Sequence, residues 1–195
     1  MRSIATILLS GSLMVAGAAT ALAEKRVALV IGNSVYTHAG TLANPGNDAT
    51  DLAGQLRRLG FEVVEGKNLG LKDMSVKLRD FTRAMDGADV GLFFYAGHGL
   101  QVNGVNYLAP VDAELKSQAD LDFETMPLDL VLKQMERSVK TSLVFLDACR
   151  NSPLARSLAA TSRGGSVSSG LARVEQGAGM MIAFATRPGN VALDG

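Results

Sequence analysis

One cysteine and one histidine stand out because each closes an apolar run typical of a buried β-strand. His98 ends residues 90–98, just before Gly99, and Cys149 ends residues 142–149. The two residues are 51 positions apart. If their strands are parallel neighbours, both side chains emerge at the same edge of the sheet, where open α/β sheets carry functional groups. A thiol beside an imidazole is a candidate nucleophile with its general base.

Cys149 is the only cysteine in the chain, so it has no partner for an internal disulfide. The residue alone leaves two interpretations open, a small buried hydrophobic side chain or a working thiol. Its position after an apolar strand and Asp147, with His98 ending a similar strand, favours the working thiol.

Composition limits the function classes. The 19 basic side chains are balanced by 19 acidic ones, and no basic run occurs, so nucleic acid binding has no electrostatic support. With 47% hydrophobic residues, the chain has enough apolar side chains for the core of one globular domain.

The N-terminal stretch is typical of a secretory signal peptide. Arg2 supplies the positive start, residues 4–20 are apolar and small, and Ala21-Leu22-Ala23 fits a cleavage site after Ala23. A retained N-terminal anchor is the alternative. We expect an exported, periplasmic domain at residues 24–195, with no stable membrane span once residues 1–23 are removed.

Apolar runs alternate with amphipathic segments along the remaining chain. This pattern predicts an α/β fold, a three-layer α/β/α sandwich with a mainly parallel sheet. The predicted strands are residues 25–33, 61–65, 90–98, 142–149 and 180–186, and the predicted helices are residues 47–58, 71–85 and 128–139.

Local signals add detail between these elements. Asn47 and Asp48 are expected to cap the first helix, whose apolar face extends to Leu59. The glycines around His98 are expected to let the chain turn and leave the imidazole exposed. Asn103-Gly104 predicts a hairpin turn, and the Ser- and Gly-rich residues 161–179 predict a mobile loop.

Four motifs together carry a family resemblance. They are Val-Ala-Leu-Val-Ile-Gly-Asn at residues 27–33, Asn-Asp-Ala at 47–49, Tyr-Ala-Gly-His-Gly at 95–99 and Asp-Ala-Cys-Arg-Asn at 147–151. On these, the chain resembles the caspase-like cysteine peptidases, and within them the bacterial metacaspase-like, or orthocaspase, members, over roughly residues 25–195. Caspases carry the histidine about 50 residues before the cysteine, as this chain does.

The resemblance implies a caspase-like fold and a role for three residues. Cys149 matches the nucleophile, and His98 matches the general base and acid. The backbone N–H groups of Gly99 and Cys149 match the oxyanion hole. A nucleophile, a general base and acid, and two N–H donors are the groups needed when a thiolate attacks a peptide carbonyl.

Asp147 bears on specificity. Aspartate-specific caspases have Gln at the matching position and an Arg before the first helix, whereas residues 42–47 here contain no Arg. Metacaspases have Asp there and cut after basic residues, and a carboxylate attracts Arg or Lys. The resemblance thus implies substrate binding by Asp147 and cleavage after Arg or Lys. The alternative is that Asp147 is structural and caps the turn after the strand.

Some metacaspases require calcium, so the acidic segment with Asp112, Asp120 and Asp122 is the place to look for it. No defined calcium-binding pattern occurs there, and a solvated acidic loop is the better interpretation. We therefore assign no metal ligand and no required cofactor, although the resemblance allows calcium. His38 is interpreted as a solvated loop residue.

Two features concern the C-terminal part. Arg163 and Arg173 lie in the predicted loop where caspases are cut during activation. Self-cleavage there is one hypothesis, and a plain surface loop is the alternative.

Related domains continue beyond the Asp-Gly at residues 194–195 with another strand and helices. We therefore expect a C-terminally incomplete domain with its fifth strand near a raw sheet edge.

The sequence favours a cysteine endopeptidase whose partner is a protein or peptide substrate. The alternative is a catalytically silent caspase-like module that binds peptides or partners. A nucleotide-binding domain is weakly supported, because no phosphate-binding glycine motif follows the first strand. Nothing in the sequence indicates an oligomeric state.

Overall fold

The computed structural model describes residues 24–149, 152–161, 166–174 and 177–185, with the backbone alone at Cys149 and Ser169. The predicted signal peptide, Arg163 and the C-terminal residues 186–195 lie outside these ranges. Within them the strands are β1 (Arg26–Gly32), β2 (Val35–Tyr36), β3 (Gly40–Thr41), β4 (Glu62–Lys67), β5 (Val90–Val102), β6 (Val105–Leu108), β7 (Met126–Pro127), β8 (Thr141–Cys149), β9 (Val167–Ser169) and β10 (Met180–Phe184).

The helices in the same ranges are fewer. They are α1 (Pro45–Arg58), α2 (Leu71–Ala84), α3 (Leu121–Glu124), α4 (Leu128–Ser138) and α5 (Pro153–Thr161), with a 3-10 helix at Gln118–Asp120. All five predicted strands and all three predicted helices have counterparts at shifted bounds, because long apolar or amphipathic runs specify them locally.

A parallel sheet forms the middle layer. Its strand order is β10-β8-β5-β1-β4, and each neighbouring pair is parallel. α1 packs on one face through Ala49, Ala53 and Leu56. α2 and α4 pack on the other face through a larger cluster that includes Phe81 and Met135. The predicted α/β/α sandwich is therefore confirmed.

The third predicted strand does not stop at the Gly-His-Gly sequence. β5 continues through Val102, because its last residues pair antiparallel with β6 on one side and with β9 on the other. The expected turn after Gly97 is wrong, and the chain reverses only at the predicted hairpin. There Asn103 and Gly104 have φ of 49° and 86°, the left-handed values that a two-residue type I′ turn requires.

Two predictions about α1 need correction. Asn47 and Asp48 lie inside the first turn of α1, since Pro45 already starts the helix and Asn44 is the N-cap residue. Leu59 is the C-cap residue and is 64% exposed, so the buried face of α1 ends at Leu56.

The predicted mobile loop at residues 161–179 contains ordered structure in its described part. β9 pairs there with the end of β5. α5, which has no counterpart among the predicted helices, precedes β9. Its Leu154 and Leu158 pack in a cluster of buried side chains that includes Leu100 on β5.

Candidate active site

The fold brings His98 and Cys149 together. β5 and β8 are parallel neighbours, and their register pairs Ala96 with Asp147 and His98 with Cys149. Adjacent strands of a sheet lie about 4.8 Å apart. The two residues singled out by type are thus direct neighbours, at the point where the parallel pairing of β5 and β8 ends.

His98 is enclosed, contrary to the expectation that its imidazole is exposed. The residue is only 2% exposed, and neither Nδ1 nor Nε2 reaches hydrogen-bond geometry with an atom of the described residues. The strand continues past it, and the Tyr36 ring lies against the imidazole with centroids 4.5 Å apart and planes tilted by 48°.

Enclosure affects the protonation of the imidazole. Burial lowers the pKa of His98, and the nearby backbone of Ala39 only partly offsets this shift. A lowered pKa keeps the ring neutral at pH 7. Only the neutral ring has a free nitrogen lone pair, so this state is the one a general base needs.

Two tyrosine hydroxyls hold the backbone of His98. The His98 N–H donates to the Tyr36 hydroxyl at 2.7 Å. Tyr95 donates its hydroxyl proton to the His98 carbonyl at 2.8 Å, with the Ala109 carbonyl at 3.0 Å also in reach. Burial raises the pKa of Tyr95, so this hydroxyl stays protonated and remains a donor.

Sequence reasoning missed both tyrosines. Tyr95 lay within the strand motif and was interpreted only as part of an apolar run. Tyr36 lay in a segment rich in turn-forming residues. The available signal was its position a few residues after the first strand, at the sheet edge where functional groups collect.

Gly97 and Gly99 allow close approach rather than a turn. Gly97 has φ of 152°, and a Cβ there would lie 2.6 Å from the Tyr36 hydroxyl oxygen. At Gly99 a Cβ would lie 2.9 Å from the Cβ of Ala148 and 3.0 Å from the Cδ2 of Leu171. Side chains are therefore excluded on both sides of His98.

Asp147 borders a surface pocket two residues before Cys149. The pocket has a volume of about 220 Å³, and Asp147 is half-buried in its wall. The other lining residues are mainly apolar: Phe94, Phe145, Leu146, Ala183, Phe184 and Ala185. A carboxylate in an apolar wall suits a ligand that has a long aliphatic stem and a positive end.

A strap of residues 166–174 passes along the far end of β5. Beyond β9, the Gly170 N–H faces the Gly99 carbonyl at 3.4 Å, and Leu171 is buried beside Gly99. Asn106 on β6 holds Ala172 through both its amide oxygen and its amide nitrogen. Arg173, which follows, is exposed.

Two carboxylates of the acidic segment have local backbone partners. Asp112 accepts the N–H of Leu71, and Asp120 accepts the N–H of Ser117, so both carboxylates serve as local caps. In the part of the chain that the structure describes, no three His, Cys, Asp or Glu residues are grouped so as to hold a metal. His38 is exposed, as predicted.

The length and hydropathy of the helices bear on membrane crossing. Within the described ranges, none combines the length and the apolar character that crossing a bilayer requires.

The chain is similar in sequence to known proteins. Residues 25–195 match the Caspase domain family, Peptidase C14. Mucosa-associated lymphoid tissue lymphoma translocation protein 1 of Homo sapiens is 33% identical over 130 residues, which cover 66% of this chain and 15% of that protein. Its Mus musculus homolog gives the same values. The chain thus spans a small part of these relatives.

A solved structure gives the same fold by shape. Protein GSU0716 from Geobacter sulfurreducens superposes with a TM-score of 0.52 at 20% identity, covering 68% of this chain and 53% of that one. At that identity the likeness concerns the fold alone. The family match covers nearly the whole described chain, and we conclude that this protein belongs to the caspase domain family of cysteine peptidases.

Proposed function

We propose that this chain is a cysteine endopeptidase domain with a His98–Cys149 dyad that cleaves after Arg or Lys. The observation that carries the proposal is the register of β5 and β8, which makes the two residues neighbours on parallel strands. Family membership supports the same reaction class.

In the proposed reaction, His98 removes the proton of the Cys149 thiol, and the sulfur forms a bond to the substrate carbonyl carbon. The imidazolium then gives its proton to the leaving amine as the peptide bond breaks. Water, deprotonated by His98, hydrolyses the thioester and releases the thiol. The lowered pKa of His98 supports the first step, because it keeps the base neutral at pH 7.

The oxyanion of the tetrahedral intermediate is assigned to the backbone N–H groups of Gly99 and Cys149. Preorganised N–H donors stabilise such charge strongly, and removal of one typically costs about 3 kcal/mol. The close packing of Gly99 against Ala148 and Leu171 supports this role, because a fixed backbone holds a donor in position.

Specificity is assigned to Asp147 and its pocket. Phe94, Phe145 and Phe184 offer an apolar wall for the methylene stem of a basic side chain. The carboxylate of Asp147 would pair with the positive end and repel an acidic one. This scheme assigns no step to calcium.

Access to the dyad requires some rearrangement. His98 is enclosed, so a substrate carbonyl reaches the imidazole only if the residues around it move. Substrate-induced movement around an active site is common in enzymes.

The test is hydrolysis of matched fluorogenic peptides with Arg, Lys, Asp or Ala before the cut, using the full chain beside Cys149→Ala. We expect Arg and Lys peptides to be cleaved and the activity to vanish in the variant. Cleavage after Asp would contradict the assigned pocket while keeping the dyad. Binding of the peptides to folded protein without any cleavage would favour the silent peptide-binding module instead.

Export is proposed separately. The small-residue pattern ending at Ala23 supports removal of residues 1–23 by a signal peptidase and delivery of the domain to the periplasm. Intact mass of the chain recovered from a periplasmic extract tests this. A chain that keeps residues 1–23 would contradict it.

A further inference from the structure

Tyr36 makes two separate contacts with His98. Its hydroxyl accepts the His98 N–H at 2.7 Å, and its ring lies against the imidazole. Tyr36 is itself buried, and it reaches His98 from β2, outside the central sheet. One side chain thus contacts both the backbone and the ring of the same histidine.

The surroundings fix Tyr36 in turn. Its hydroxyl lies 3.4 Å from the Tyr95 hydroxyl and 3.4 Å from the Ala109 carbonyl, and Gly97 leaves room for both hydroxyls. Tyr95 contacts the carbonyl of His98, whereas Tyr36 contacts its N–H and its ring. The two tyrosines therefore hold His98 from opposite ends of its backbone.

We propose that Tyr36 is a positioning residue for His98: its ring sets the plane of the imidazole, and its hydroxyl fixes the strand that carries it. This inference rests on the proposed function, in which His98 must be aligned with Cys149 to move protons. Small misplacements of a reacting group reduce rates strongly, so a fixed imidazole has a clear use.

The groups around the imidazole make its titration a specific readout. From β2 the Tyr36 ring lies against the imidazole, from β5 the Tyr95 hydroxyl contacts the His98 carbonyl, and from β8 the register partner is Cys149. Among the described residues, no charged side chain contributes to the shift of the His98 pKa. Burial is the main cause, and the Tyr36 ring supplies part of that burial.

The chain has only two histidines, which allows a clean experiment. In Cys149→Ala protein, the ring protons of His98 are titrated by NMR. We expect Tyr36→Leu to raise the His98 pKa toward its ordinary value of 6.5, because water then reaches the imidazole. Tyr36→Phe keeps the ring and should keep the pKa lowered.

The catalytic arm uses the same substitutions with Cys149 intact. We expect Tyr36→Leu to lower kcat by about 10- to 100-fold with KM within about twofold, and Tyr36→Phe to recover most of kcat. Tyr95→Phe is the matched control, because it removes a hydroxyl from the same network but leaves the Tyr36 ring on His98. Its His98 titration should stay close to that of the wild type.

A third readout remains if Tyr36→Leu fails to fold. Tyr36→Phe removes the acceptor of the His98 N–H, so amide exchange at His98 should become about five- to tenfold faster. Unchanged exchange in Tyr36→Phe, or an unchanged His98 titration in folded Tyr36→Leu, overturns the inference. A wild-type chain that hydrolyses no peptide contradicts the proposed function instead, so the two failures are distinguishable.

Discussion

The backbone N–H of His98 donates to the hydroxyl of Tyr36 across 2.7 Å, although the residues are 62 positions apart in the chain. This bond replaces a sheet hydrogen bond by a side-chain contact just where β5 carries its imidazole. The strand is therefore held at His98 by a residue outside the sheet, and several measurable consequences follow from the packing around it.

Replacement of His98 tests the base. His98→Gln keeps a polar side chain of similar size but provides no titratable nitrogen, so kcat/KM for an Arg peptide should fall by about 10²- to 10⁴-fold. The comparison is steady-state hydrolysis beside His38→Gln, which removes an exposed histidine and should leave the rate unchanged. Equal rates for His98→Gln and the wild type would exclude His98 as the base.

The lowered pKa of His98 makes stability depend on pH with a defined sign. The unfolded chain binds a proton at His98 more readily than the folded chain, since burial lowers the folded-state pKa. The stabilising contribution is therefore full above the unfolded value of 6.5 and is lost as the pH falls through the folded-state pKa.

Urea unfolding at a series of pH values from 8 down to about 5 measures this loss. Other groups also titrate there, so the quantity to compare is the difference in unfolding free energy between the wild type and His98→Gln. As the pH falls, the wild type should lose unfolding free energy relative to His98→Gln. A constant difference would mean that His98 has the same pKa in both states.

Gly97→Ala should destabilise the fold. A Cβ at Gly97 would meet the hydroxyls of Tyr36 and Tyr95 at 2.6 and 2.9 Å, and φ of 152° is unfavourable for alanine. We expect a loss of about 2 to 4 kcal/mol in the free energy of unfolding, from strain and lost hydrogen bonds together.

Gly54→Ala is the matched control for that substitution. Gly54 lies in α1, and a Cβ there would meet no atom within 4 Å. Alanine should stabilise the helix by about 0.5 to 1 kcal/mol. Similar unfolding midpoints for the two variants would show that the space beside Gly97 is not needed.

Asp147→Asn tests the specificity pocket. It keeps the shape of the wall but removes the charge, so kcat/KM for Arg and Lys peptides should fall by about 10- to 100-fold while an Ala peptide is little affected. Asp89→Asn is the control, because Asp89 precedes β5 at the opposite end from His98 and pairs with Lys140. A parallel loss for all peptides would assign Asp147 a structural role.

Self-cleavage is testable by intact mass. Arg173 is exposed within the strap, next to Ala172, which Asn106 holds, so a basic-specific peptidase could cut there in another copy. Long incubation of active protein should give fragments that disappear in Arg173→Gln, while Arg163→Gln reports on the second arginine. An unchanged mass would remove the hypothesis.

The parts of the fold that the sequence predicts are those with local codes. Asn103-Gly104 specifies the hairpin through the positive φ of both residues, and the apolar runs of β1, β5 and β8 specify buried strands. The register that joins His98 to Cys149 follows once β5 and β8 are parallel neighbours, which the alternation of strands and helices already favours.

Other features depend on partners far along the chain and leave little local signal. β5 continues past His98 only because β6 and β9 pair with its last residues. Tyr36 comes to His98 from a segment whose composition predicts turns. Enclosure of the imidazole is likewise a property of the packed whole, which periodicity does not report.

Covalent labelling of Cys149 tests the central claim, the His98–Cys149 dyad, most directly. Because Cys149 is the only cysteine, one adduct of a peptide electrophile ending in Arg, detected by intact mass, identifies it without digestion. We expect one rapid adduct on the folded chain, at least about 100-fold slower in His98→Gln, since the thiolate is the reactive form. Labelling of the folded wild type no faster than that of His98→Gln would contradict the dyad.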